Sequence, residues 1–102
     1  MTTLAHLSDP HLDGGTRNAR RLSRAVGYLA AQPGPVDAVL ITGDITDSGS
    51  PQDYAIAADL VSRLPVPVVF CPGNHDSRGE LARVLLGVED HVGPVNQVVE
   101  VA

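Results

Sequence analysis

The sequence predicts an α/β domain with a mostly parallel sheet, and three observations carry that prediction. Strand-length apolar runs fall at residues 3–8, 36–42, 66–71 and 95–101. Segments with apolar residues at helical spacing separate them, giving the order βαβαβαβ. Each of the first three runs then breaks into a polar stretch: Asp9-Pro10-His11, Gly43-Asp44, and Gly73-Asn74-His75-Asp76. Crossovers between parallel strands are right-handed, so strands laid side by side bring these tips to one crevice.

The first strand is apolar at Leu4, Ala5 and Leu7 and ends at Asp9-Pro10. His6, inside it, reads as a hydrogen-bonded structural histidine. Over residues 18–31, Leu22, Ala25, Val26 and Leu29 recur at helical spacing, while Arg17, Arg20, Arg21 and Arg24 share another face, read as a solvated face with a phosphate-binding arginine patch as the alternative. Gln32-Pro33-Gly34-Pro35 ends that helix. The second strand is almost continuously apolar, as expected of a central strand covered on both faces. Ser50-Pro51-Gln52-Asp53 is a helix start, with a serine cap, a proline at the first position and a carboxylate near the positive end. Ala57, Leu60, Val61 and Leu64 supply its buried stripe.

In the third strand Pro67 is tolerable only near the beginning, and Cys71 reads as a small buried residue. Ser77 and Glu80 make a capping-box pair for a third helix, with Leu81, Val84 and Leu85 inward and Gly87 as its stop. The run at 95–101 ends in strand-like sequence with no turn or partner, an unpaired edge that folded proteins avoid. The domain (residues 1–102) is therefore expected to continue past Ala102, and the unfinished strand offers pairing to another chain.

Composition narrows the function. At 102 residues the chain is at most one small domain, and a formal charge of −5 disfavours nucleic acid and anionic membranes as partners. One cysteine makes no internal disulfide, and no apolar run approaches the roughly 20 residues of a membrane span. The amino terminus lacks a signal-peptide pattern, so the expected location is cytoplasmic.

The polar tips carry the chemistry. Asp9 and His11 alternate on an extended segment, so both side chains are expected to point one way. Carboxylate oxygen with imidazole nitrogen suits borderline divalent ions such as Mn²⁺, Fe²⁺ or Zn²⁺. Asp44 has two oxygens with which to bridge two ions, and Asn74 offers a neutral amide oxygen to the second. Two such ions clamp a phosphate and turn a bridging water into a hydroxide nucleophile. His75 is placed to protonate the departing oxygen, and Asp47 to orient that imidazole. The expected substrate is a small phosphoester. The rival reading is a non-catalytic binding module that keeps the scaffold with an incomplete metal site.

With Asp9-Pro10-His11, Gly43-Asp44-Ile45-Thr46-Asp47 and Gly73-Asn74-His75-Asp76 in that order, the chain resembles the calcineurin-like metallophosphoesterases. Leu7-Ser8, Asp47-Ser48-Gly49 and Pro65-Val66-Pro67 make it most similar to the class III cyclic-nucleotide phosphodiesterases. The resemblance implies the amino-terminal half of a four-layer α-β-β-α sandwich that holds two divalent ions (Mn, Fe or Zn). It assigns Asp9 and His11 to the first metal, Asp44 to the bridge, Asn74 to the second metal and His75 to the phosphate or leaving group, with Asp47 supporting His75. Related protein phosphatases carry an arginine where this chain has Ser48, so the implied activity is a phosphodiesterase. The family pattern continues to a further histidine and a Gly-His-x-His motif, which this sequence does not contain.

Overall fold

Residues 2–31 and 36–88 are described by the structure, a computed structural model. The helix stop at 32–35, the strand at 95–101 and its pairing to another chain lie outside the described residues. The observed elements are β1 (Leu4–Ser8), α1 (Thr16–Ala30), β2 (Ala38–Gly43), α2 (Pro51–Val61), β3 (Val68–Pro72) and α3 (Arg78–Leu81). A π-helical turn over Ala82–Leu86 continues α3.

The three strands lie in the order β1-β2-β3, all parallel. Ser8 stands opposite Thr42, and Gly43 opposite Pro72. This register brings all three strand ends to the same level. The loops that follow therefore emerge side by side, and this single fact positions the site.

One face of the sheet packs against the helices. Val39 and Ile41 of β2 and Phe70 of β3 meet Leu22 and Val26 of α1, Tyr54, Ala57 and Leu60 of α2, and Leu81 of α3 in one core. Burying aliphatic side chains of this size stabilises by about 1.5–3 kcal/mol each. In β1, Ala5 and Leu7 face this core while Leu4, His6 and Ser8 are exposed, the period of two that a one-sided strand requires. Leu40 and Thr42 on the opposite face of β2 are only half-buried, so covering on both faces is not what the described residues show. Among the described residues, the helices pack on one face of the sheet only. Cys71 lies on the other face and is exposed rather than buried. His6 is hydrogen-bonded, its Nε2 2.6 Å from Thr42 Oγ1.

Of the two expected serine caps, one forms and one does not. At α2, Pro51 takes the first position as expected, but the Ser50 hydroxyl donates to Gln52 Oε1 (2.7 Å) and caps nothing. Asp53 is buried and accepts from Gly14 N (3.1 Å), so this carboxylate ties down the loop before α1. At α3, Ser77 Oγ does accept from Glu80 N (3.3 Å), and Gly87 stops the following turn with φ +69°, where a side chain is strained.

Candidate functional site

The chain leaving β1 keeps pairing with the chain leaving β2. Asp9 N donates to Thr42 O (2.8 Å), His11 N to Asp44 O (3.0 Å) and Leu12 N to Ile45 O (2.9 Å), and Asp47 N returns a bond to Leu12 O (2.9 Å). Within this ladder Asp9 and His11 are not extended: their φ values are +53° and +50°. Side-chain alternation along a strand is thus corrected to two left-handed residues flanking Pro10. Asp and His tolerate that region better than most residues, yet such conformations cost about 1–3 kcal/mol each and persist only where surrounding contacts enforce them.

His11 is held at its backbone and at its ring. Its carbonyl accepts from Asn18 Nδ2 (2.8 Å), and its Nδ1 lies 2.6 Å from Asp47 Oδ1. Donation from Nδ1–H to that carboxylate leaves the lone pair on Nε2, which lies 3.9 Å from Asp9 Oδ1. The Asp47 bond raises the His11 pKa above its ordinary 6.5; partial desolvation opposes this, and the charges of Asp47, Asp44 and Asp9 add to it.

Asp9, His11 and Asp44 each offer one ligand atom, all within 4.8 Å of one another. Ligand bonds of about 2.0–2.2 Å put two donors on one ion up to about 4.4 Å apart. The three atoms therefore lie within a few tenths of an ångström of that span, and an O, N, O set of this kind suits one borderline divalent cation. Two glycines make room for it. A Cβ on Gly43, whose φ is +80°, would collide with the Asp9 carboxylate. One on Gly73 would collide with Asp44 Oδ1 and come within 2.6 Å of Asp44 N.

The third tip approaches through its backbone. His75 N donates to Asp44 Oδ1 (3.0 Å), and the His75 ring stands edge-on to His11 with centroids 6.5 Å apart. Asn74, between Gly73 and His75, is exposed at the same turn. The expected Asp47–His75 pair is not what forms: Asp47 holds His11, and the carboxylate nearest His75 Nδ1 is Asp44 Oδ2 at 3.9 Å. Asp47 comes from the loop after β2, which the ladder locks beside His11, and His75 belongs to the loop beyond.

Asp76, to which the sequence assigns no role, is the most heavily bonded carboxylate among the described residues. It accepts from the backbone N–H of Ile45, Thr46 and Gly73 (each 2.9 Å), from Thr46 Oγ1 (3.1 Å) and from the Tyr54 hydroxyl (2.8 Å). Burial pushes the Tyr54 phenol pKa up, so it remains a donor at every relevant pH. A charged residue directly after the polar Gly-Asn-His run, ahead of a capping serine, was the available signal.

No helix among the described residues is long and apolar enough to cross a membrane. Comparison with known proteins points the same way as the geometry. A probable cyclic nucleotide phosphodiesterase of Rhodococcus erythropolis is 36% identical over 109 residues, covering 93% of this chain and 35% of that protein. A cAMP/cGMP dual specificity phosphodiesterase of Mycobacterium tuberculosis is 34% identical, covering 93% and 33%. Glycerophosphodiester phosphodiesterase GpdQ of Enterobacter lignolyticus is 35% identical, covering 74% and 30%. The chain thus spans about a third of the length of these relatives. Residues 2–101 match the calcineurin-like phosphoesterase family, and that match contains all three polar tips. A metal-dependent family, parallel strands ending level and an O, N, O donor set at their tips agree with one another, and the chain belongs to the calcineurin-like phosphoesterases.

Proposed function

We propose that this chain carries the amino-terminal part of a phosphodiesterase active site that acts on cyclic nucleotides or other small phosphodiesters. The observation that supports this most directly is the convergence of Asp9, His11 and Asp44 from adjacent strand tips to within 4.8 Å. The relatives' names, cyclic nucleotide and glycerophosphodiester phosphodiesterases, supply the substrate class.

In this reading Asp9, His11 and Asp44 hold one divalent ion, Mn²⁺, Fe²⁺ or Zn²⁺, and Asp44 with Asn74 contributes to a second. Bound ions of this kind polarise phosphoryl oxygens and acidify water at neutral pH. The protein's own groups do the rest. Asp47 fixes the His11 ring with Nε2 directed inward. Gly43 and Gly73 let the carboxylates approach the backbone. His75, tethered through its N–H to Asp44 and otherwise exposed at the rim, donates a proton to the departing oxygen.

The test is hydrolysis of a chromogenic phosphodiester with added Mn²⁺, alongside metal binding by calorimetry. Asp44→Ala is expected to abolish both. His75→Ala is expected to retain metal and slow turnover. Unchanged turnover in Asp44→Ala sinks the mechanism, and loss of metal in His75→Ala overturns the proton-donor role.

A further inference from the structure

We propose that Asp76, held by the buried Tyr54 phenol, is the positioning residue that sets the spacing between Asp44 and the Asn74–His75 pair. This role rests on the phosphodiesterase reading above. It is carried by the way the two carboxylate oxygens of Asp76 divide their donors. Oδ2 alone accepts from Ile45 N and from Gly73 N, both at 2.9 Å. Those amides belong to the residue just after Asp44 and the residue just before Asn74. One oxygen atom therefore ties together the two loops that bear the bridging carboxylate and the amide ligand.

Oδ1 anchors this tie to the core. It accepts from Thr46 N, Thr46 Oγ1 and Tyr54 OH, and both Tyr54 and Thr46 are fully buried. The Tyr54 oxygen in turn accepts from Ser77 N (2.9 Å), so α2 holds both the Asp76 carboxylate and the residue that follows it. Carboxylates that accept several N–H bonds form strong, directional contacts, and two loops joined through one atom shift together or not at all. The direct Asp44 Oδ1 bond to His75 N leads from the same pair of loops into the cluster. Small displacements at such sites cost far more in metal affinity and rate than in overall fold.

Two variants separate positioning from mere folding. Tyr54→Phe keeps the ring in the core and removes only the hydroxyl. Asp76→Asn keeps the shape but replaces one acceptor oxygen with a donor. Zn²⁺ affinity is measured by calorimetry well below each variant's melting temperature, together with kcat and KM for the chromogenic diester. The expected result is at least a tenfold loss of Zn²⁺ affinity in Asp76→Asn and a severalfold loss in Tyr54→Phe. In both, kcat is expected to fall while KM stays within about twofold. Should Asp76→Asn not fold, the Tyr54→Phe result decides. An unaltered chain that binds no Zn²⁺ sinks the metal reading itself and this role with it. An unaltered chain that binds, with folded variants that bind and turn over equally well, sinks only the role of Asp76.

Discussion

The two halves of the site are held by different means. The loops after β1 and β2 are joined through the main chain, in a ladder from Asp9 N–Thr42 O to Asp47 N–Leu12 O. The turn after β3 is fastened chiefly by side chains, above all by Asp76, which collects three backbone N–H groups and two hydroxyls. A backbone ladder is indifferent to most side chains but intolerant of any added Cβ that pushes strands apart. A carboxylate hub is the reverse, undone by a single polar substitution. The first half should therefore break at Gly43, the second at Asp76 and Tyr54, and the seam between them at Gly73, which packs against Asp44.

The largest effects are expected at the glycines. Gly43→Ala places a Cβ against the Asp9 carboxylate at a φ of +80°, and Gly73→Ala places one against Asp44 Oδ1 and Asp44 N. The second collision includes backbone, which cannot rotate away. Both variants are expected to lose metal binding, with Gly43→Ala destabilised further by left-handed strain of about 1–2 kcal/mol. Calorimetric metal titration and thermal melts check this; a Gly73→Ala chain that binds metal like the parent contradicts the close approach.

Asp47→Asn comes next. Its partner is His11, the proposed ligand of the first metal, so the expected outcome is a 10–100-fold loss of metal affinity with little change in melting temperature. Were Asp47 instead acting through His75, affinity would hold and turnover alone would fall. Measuring both on one variant separates the two pairings. Ser77→Ala is a smaller perturbation. Removing its bond to Glu80 N should cost about 1 kcal/mol in a denaturant melt and leave metal affinity within a factor of two.

The same contrast explains what was legible in the sequence. Strand tips, helix stripes and the Asp9, His11, Asp44 set follow from period and position along the chain, because parallel strands in sequential order must end together. Pairings across loops do not follow from spacing. Asp47 was expected beside His75 because both are polar and near Asp44; the ladder that puts it beside His11 is made of backbone atoms common to every residue. Asp76 was invisible for a related reason. Most of its donors are backbone N–H groups, and its side-chain anchor, Tyr54, sits on α2 outside the apolar stripe expected from Ala57, Leu60, Val61 and Leu64. The left-handed Asp9 and His11 were missed because Asp-Pro-His also fits extended backbone; only the bonds to Thr42 O and Asp44 O select the other conformation.

The smallest expected effect is a proton. In the metal-free chain the Asp47 bond, reinforced by the charges of Asp47, Asp44 and Asp9, raises the His11 pKa above 6.5 against partial desolvation. A pKa raised on folding means the protonated ring is favoured in the native state. The resulting stabilisation is fully present below about pH 6.5 and disappears as pH rises through the raised value. Metal binding through Nε2 needs the ring neutral, so affinity should climb across that window and level off above it. Asp47→Asn removes the largest cause and should move the onset of that climb to lower pH, even though it weakens the plateau affinity. The two effects are separable because one shifts the midpoint and the other the ceiling. Proton NMR titration of the His11 ring, with and without the substitution, reads the midpoint directly. A parent ring that titrates at or below 6.5, or one indifferent to Asp47→Asn, means the carboxylate holds His11 in place without tuning it.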